Sequence, residues 1–215
     1  MNKMILITRP SHDEIVSYLF HWGQEILQFA KDNAVRSHDL SKEKANKNDV
    51  ESFVASMKPG LIVLQGHGDT NNICGHKDEP IVTLGENENI LKSCITYAIA
   101  CDSAGALGKK VVEDKNTTFI GYEGSFGFIR DATRECNPPK DKYAKPFQEI
   151  SNLISKEMIR GKTAKEAYEK SQQRCRELIK EYSASDADPA NKEIRFWLFW
   201  DMQFQRVLGE QNAKL

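Results

Sequence analysis

The sequence predicts an α/β fold: a single domain in three layers, with a mostly parallel sheet and helices on both of its faces. Two observations carry this reading. The runs Leu61-Ile62-Val63-Leu64 and Ile95-Thr96-Tyr97-Ala98-Ile99-Ala100 are short, apolar and bounded by glycine and polar residues. That is the pattern of strands buried on both faces. Strand-like runs also alternate with helix-periodic segments, which calls for parallel pairing through right-handed crossovers. The 215 residues are near the upper size of one core, so a single domain over 1–215 is expected. Its α/β part spans about 1–130 and its C-terminal helices about 145–212.

In chain order, Met4 to Thr8 reads as the first strand. Ser11 is the expected N-cap of the next helix, with Glu14 three residues on. Ile15, Leu19, Trp22, Ile26, Phe29 and Ala30 then recur at helical spacing as far as Asp32-Asn33. Ala34 to Leu40 holds a short second strand. Asp49 to Met57 forms a helix with Val50, Phe53, Val54 and Met57 on one face, stopped by Pro59-Gly60. After the run at Leu61, Asn71 to Leu84 reads as a hairpin and Asn87 to Lys92 as a helical or turn connection. The run at Ile95, a helix over Ala104 to Val112 and a strand over Thr117 to Gly121 complete the alternation.

Tyr122 to Ala144 is polar and contains Gly and Pro, as an active-site loop would. Three helices follow: Phe147 to Arg160, Thr163 to Tyr182 with a Thr163–Glu166 capping box, and Asn191 to Gly209. The last carries Ile194, Trp197, Leu198, Phe199, Met202, Phe204 and Val207 on more than one face, so heavy burial is expected.

A formal net charge of −1 and a pI near 6.5 give no electrostatic footprint for nucleic acid. The Lys-rich stretch Lys42 to Lys47 reads as a solvated loop. Met4 to Ile7 is too short for a signal-peptide core and no later segment approaches a membrane span, which points to a cytoplasmic protein. The five cysteines, Cys74, Cys94, Cys101, Cys136 and Cys175, are odd in number and scattered, so no disulfide framework is expected.

Chemistry concentrates where the two central runs end. Gln65-Gly66-His67-Gly68-Asp69 follows the first and Cys101-Asp102-Ser103-Ala104-Gly105 the second. Ligands and catalytic groups gather at the carboxyl ends of such strands, so an imidazole and a thiol are expected on one sheet edge. There Cys101 would be the nucleophile and His67 the general acid and base. A helix starting just after Cys101 would lower its thiol pKa. The backbone amides of Gly68 and Cys101 would form the oxyanion hole. Cys94, Cys136 and Cys175 read as inert buried thiols, and His12, His21 and His38 as helix-start, surface or packing residues.

The apolar run into His67-Gly68, and the run into Ala100-Cys101 with Ser103 and Gly105 behind it, resemble the caspase-like (clan CD) cysteine peptidases. That group includes caspases, metacaspases, gingipains, separases and bacterial CHAT domains. Phe119-Ile120-Gly121-Tyr122 is similar to the strand after the cysteine in the gingipain-like and CHAT groups. The resemblance covers Met4 to Phe128. It implies a caspase-like sandwich, a Cys–His dyad, a thioester acyl-enzyme and cleavage after a preferred P1 residue of a peptide or protein substrate, with a regulatory protein partner conceivable. Ile99-Ala100-Cys101-Asp102-Ser103 departs from the caspase Gln-Ala-Cys-x-Gly motif, so aspartate specificity is not implied. Asp69, Asp102 and Glu123, each beside a strand end, are the expected acids for a basic P1 side chain. The alternative from another class is a catalytically silent domain that binds a peptide or ligand in the same cleft.

Competing chemistries fit less well. His67, Asp69, Cys74 and His76 are possible zinc ligands, but Cys74-Gly75-His76 is too tightly spaced for a structural site and no second Cys/His pair completes one. Ser103 to Lys110 fails two positions of a P-loop, and Gly66-His67-Gly68 lacks the third glycine of a dinucleotide fingerprint. The sequence therefore assigns no metal and no cofactor.

Overall fold

The β-branched runs do pair, and they set the frame for everything else. The computed structural model describes residues 3–135, 137–184 and 188–215. Its central sheet contains β1 (Met4–Arg9), β2 (Arg36–Ser41), β3 (Leu61–Gln65), β6 (Ile95–Ile99), β7 (Thr118–Tyr122) and β8 (Gln205–Gly209), in the order β2-β1-β3-β6-β7-β8. All neighbours are parallel except β7 and β8. The expected hairpin is present as β4 (Asn72–Cys74) against β5 (Pro80–Thr83).

Every residue of β1, β3, β6 and β7 is buried, because the two faces are covered separately. Ile5, Ile7, Leu61, Val63, Ile95, Tyr97 and Ile99 pack against α1 (Glu14–Asp32), α4 (Lys145–Ile159), α5 (Ala164–Ser183) and α6 (Ala190–Phe204). Their alternates Leu6, Ile62, Leu64, Ala98 and Ala100 pack against α2 (Lys47–Met57), α3 (Ala106–Val111) and the hairpin. The period of two along each strand thus divides one sheet between two cores. No helix among the described residues is long and apolar enough to cross a membrane.

The structure corrects several boundaries. The N-cap of α1 is Asp13, whose side chain accepts from the Val16 amide, and Ser11 lies outside the helix. Helix α2 starts earlier than expected, at Lys47, capped by Asn46. Helix α3 is confined to Ala106–Val111. The largest correction is at the end of the chain: the expected helix to Gly209 stops at Phe204, and Gln205–Gly209 becomes an edge strand on β7. Pairing with the open edge of β7 outweighs helical periodicity there. Nor is α6 heavily buried throughout, since Phe196 and Phe199 are 55% and 52% exposed. The Thr163–Glu166 capping box of α5 forms as expected.

Candidate active site

Strand register places both residues of the expected dyad at one edge of the sheet. Along β3 and β6, Leu61 pairs with Ile95 and Gln65 with Ile99; continuing that offset by two residues sets His67 level with Cys101. The path beyond β3 depends on glycine. Gly66 has φ +154°, and a Cβ there would lie 2.2 Å from the Cys74 carbonyl oxygen. A Cβ on Gly68 would lie 3.0 Å from each of Ala100 Cβ, Cys101 O and Asn72 O. The His67-Gly68 backbone therefore rests directly on the end of β6.

His67 and Cys101 line one cavity of about 310 Å³. Ile15 and Leu19 of α1 form one wall, Phe126, Gly127 and Phe128 a second, and Trp197 of α6 a third. Part of the Tyr122 to Ala144 segment thus lines the cavity.

Cys101 is partly buried, and its thiol donates to Phe126 O at 3.8 Å. Burial pushes its pKa up, and the carboxylates of Asp102 and Asp201 add to the effect. This overturns the expected lowering by a helix N-terminus. Helix α3 begins only at Ala106, and turn residues, including Asp102 at φ +52°, separate it from the thiol.

His67 Nε2 lies 2.8 Å from Oδ2 of Asp13. Burial alone would push the Asp13 carboxyl up, but the Val16 amide and the His67 imidazole outweigh it and hold it below the usual range. Asp13 therefore caps α1 with one oxygen and engages His67 with the other. Nothing in the sequence links these residues, which stand 54 positions apart.

No protein-family model matches this chain, and no curated protein matches it either.

The remaining expected residues divide. Around Gly68, ladder bonds run from Asp69 N to Asn72 O and from Cys74 N to His67 O, and neither uses the Gly68 amide. Asp69, Asp102 and Glu123 do not line the cavity. Asp69 accepts from the Asn71 and Asn72 amides, and Glu123 is held by Lys109 at 2.7 Å and Arg206 at 2.8 Å. None of His67, Asp69, Cys74 and His76 belongs to the group of potential metal ligands, which among the described residues is His12, Asp13 and Asp78. Cys136 lies outside the described residues, while Cys94 and Cys175 are buried free thiols.

Sequence reasoning missed Asp201. It is 1% exposed on α6, one turn beyond Trp197. Oδ1 accepts from the Gly127 amide at 3.0 Å, and Oδ2 has no hydrogen-bond partner among the described residues. Burial raises its pKa well above the usual carboxyl value. Its signal was present, because Ile194, Leu198 and Asp201 form one buried stripe at helical spacing. An acid on an apolar stripe marks a functional candidate.

Proposed function

We propose that this chain is a caspase-like, three-layer cysteine endopeptidase of the cytoplasm, acting on peptide or protein substrates through a Cys101–His67 dyad. The observation that carries the reading is the meeting of thiol and imidazole on one cavity at the carboxyl ends of adjacent parallel strands. With Nε2 engaged by Asp13, the tautomer protonated at Nε2 leaves Nδ1 as the nitrogen that takes the thiol proton. The Cys101 thiolate attacks the scissile carbonyl carbon, and the Gly68 and Cys101 amides stabilise the oxyanion. The imidazolium then protonates the departing amine, leaving a thioester. Water, deprotonated by His67, releases the acid and restores the thiol.

In this reading P1 is Arg or Lys. The Trp197, Phe126 and Phe128 rings suit an aliphatic stem with a cationic head. Asp201, behind Gly127, joins Asp69, Asp102 and Glu123 as a candidate acid for the head; none of the four lines the cavity itself, and Asp201 is the one bonded to a residue that does. A buried neutral carboxyl can ionise when a cation arrives beside it.

One observation favours the silent-scaffold alternative: the resting thiol is raised in pKa and donates to a backbone carbonyl. A peptidyl electrophile with P1 Arg separates the two readings. Peptidase chemistry requires covalent labelling of the unsubstituted chain and none of Cys101→Ala, with His67→Ala slowed. Reversible, dyad-independent binding of the same peptide would instead establish the scaffold.

A further inference from the structure

Four ligand atoms from three separate segments converge beside the dyad. His12 and Asp13 precede α1, His67 follows β3, and Asp78 sits in the turn of the β4–β5 hairpin at φ +60°. His12 Nε2 lies 2.9 Å from Asp78 Oδ1 and 3.6 Å from Asp13 Oδ2. His67 Nε2 lies 2.8 Å from the same Asp13 oxygen and 4.0 Å from the same Asp78 oxygen. The atoms of His12, Asp13 and Asp78 are all within 4.8 Å of one another.

We propose that His12, Asp13, His67 and Asp78 form a site for one zinc ion, and that filling it turns the dyad off. The inhibitory half rests on the peptidase reading; the binding half does not. Zinc bonds of about 2.0–2.1 Å to nitrogen and oxygen imply ligand separations of about 3.3–3.4 Å in a tetrahedron. Two of the four separations above fall short of that and two exceed it; His67 lies outside the trio that agrees within 4.8 Å, so its ring must move further than the other three side chains to complete the shell.

Charge favours the same conclusion. Among the described residues, the ion pairs of Asp13 and Asp78 are all to imidazoles. With those rings neutral, two carboxylates share a small space that a dication would neutralise. Two imidazole nitrogens select a borderline metal such as zinc over calcium or magnesium, which take oxygen. The His12 side chain is only 12% exposed, and its Nδ1 is sealed from water without a hydrogen-bond partner among the described residues. Its ring is therefore held in place, with Nε2 directed at the two acids. Zinc on His67 Nε2 displaces the Asp13 hydrogen bond and draws electron density from the ring, so Nδ1 no longer accepts the Cys101 proton.

The test begins with Cys101→Ala, which removes thiol ligation at the dyad. Zinc chloride is titrated into this full-length variant by calorimetry, and the coordination shell is read by X-ray absorption. The expected result is one zinc per chain in a shell of nitrogen and oxygen only. Affinity falls at least about ten-fold when Asp78→Asn or His12→Ala is added. Asparagine tolerates the left-handed backbone at position 78, so that variant keeps the fold. In the unsubstituted chain, zinc suppresses peptide cleavage, a chelator restores it, and Asp78→Asn requires at least about ten-fold more zinc. Absence of binding, sulfur in the shell, or unchanged affinity in Asp78→Asn overturns the site. Zinc binding at the site with undiminished cleavage overturns the inhibition. A chain that binds zinc this way but cleaves nothing when zinc-free overturns the peptidase reading alone.

Discussion

The two ends of the parallel strands carry cavities of different character. At the amino ends, just before β3 and β6, about 510 Å³ is enclosed by α2, Pro59, Ile90 and Cys94. At the carboxyl ends the space is smaller, about 310 Å³, yet it holds His67 and Cys101. Both contain a cysteine. Cys94 is buried, donates to Leu91 O at 3.3 Å and has its thiol pushed up to about 11. No imidazole lines its cavity. Volume therefore does not separate the two edges, whereas strand direction does, because parallel strands deliver the loops bearing His67 and Cys101 to one edge.

The strongest way to break this comparison is to exchange the roles of the two thiols. Cys101→Ala is expected to lower peptide cleavage by at least about 10⁴-fold, while Cys94→Ala leaves turnover unaltered. Equal effects in a fluorogenic assay would abolish the distinction between the edges. The next effect belongs to the imidazole. His67→Ala should reduce kcat by about 10²–10⁴-fold, and a change confined to KM would make His67 a substrate-binding residue instead.

Asp201 sharpens the comparison through specificity and stability together. Asp201→Asn should narrow the preference for Arg over Leu at P1 by about 10–100-fold, measured as kcat/KM on P1-varied peptides. The same substitution should stabilise the free protein. The folded pKa of Asp201 is raised, so its favourable contribution is complete below the unfolded value near 3.8 and is lost as pH rises towards the folded value. The Tm advantage of Asp201→Asn is therefore absent near pH 3 and grows from about pH 4 upward. A constant advantage across that range would show that the fold does not hold the carboxyl protonated.

The smallest expected effect is at Gly68. Gly68→Ala meets Ala100, Asn72 and Cys101 at 3.0 Å and should cost about 1–3 kcal/mol in denaturant unfolding, with the dyad spread apart. A neutral outcome would mean that the loop after β3 is free to retreat from β6.

The sequence made the central strands legible because burial on both faces writes them as unbroken apolar runs, which no helix of that length requires. It also made the hairpin and the α5 capping box readable from local turn and cap chemistry. His67 and Cys101 were legible for the same reason, being the first polar, reactive residues past two such runs. The parts that were missed depend on partners distant in sequence. Gln205 to Gly209 contains no helix breaker before its glycine, so only the edge of β7 reveals it as a strand. Asp13 reads locally as a capping residue, and its contact with His67 exists only once α1 is docked. The helix start that would lower the Cys101 pKa is postponed to Ala106 by the turn at Asp102, which no local pattern announces.

One consequence concerns the order in which the chain is made. His67 and Cys101 are synthesised well before Trp197, Asp201 and the strand that covers β7. A nascent or prematurely terminated chain would carry the reactive pair without the wall that selects a substrate. Under the peptidase reading, hydrolysis would await the synthesis of α6 and β8, an ordering in time imposed by chain connectivity alone. Fragments ending before Ala190 should be inert towards peptides that the whole chain cleaves, and restoring Ala190 to Leu215 as a separate peptide should recover cleavage if the wall is all that is missing.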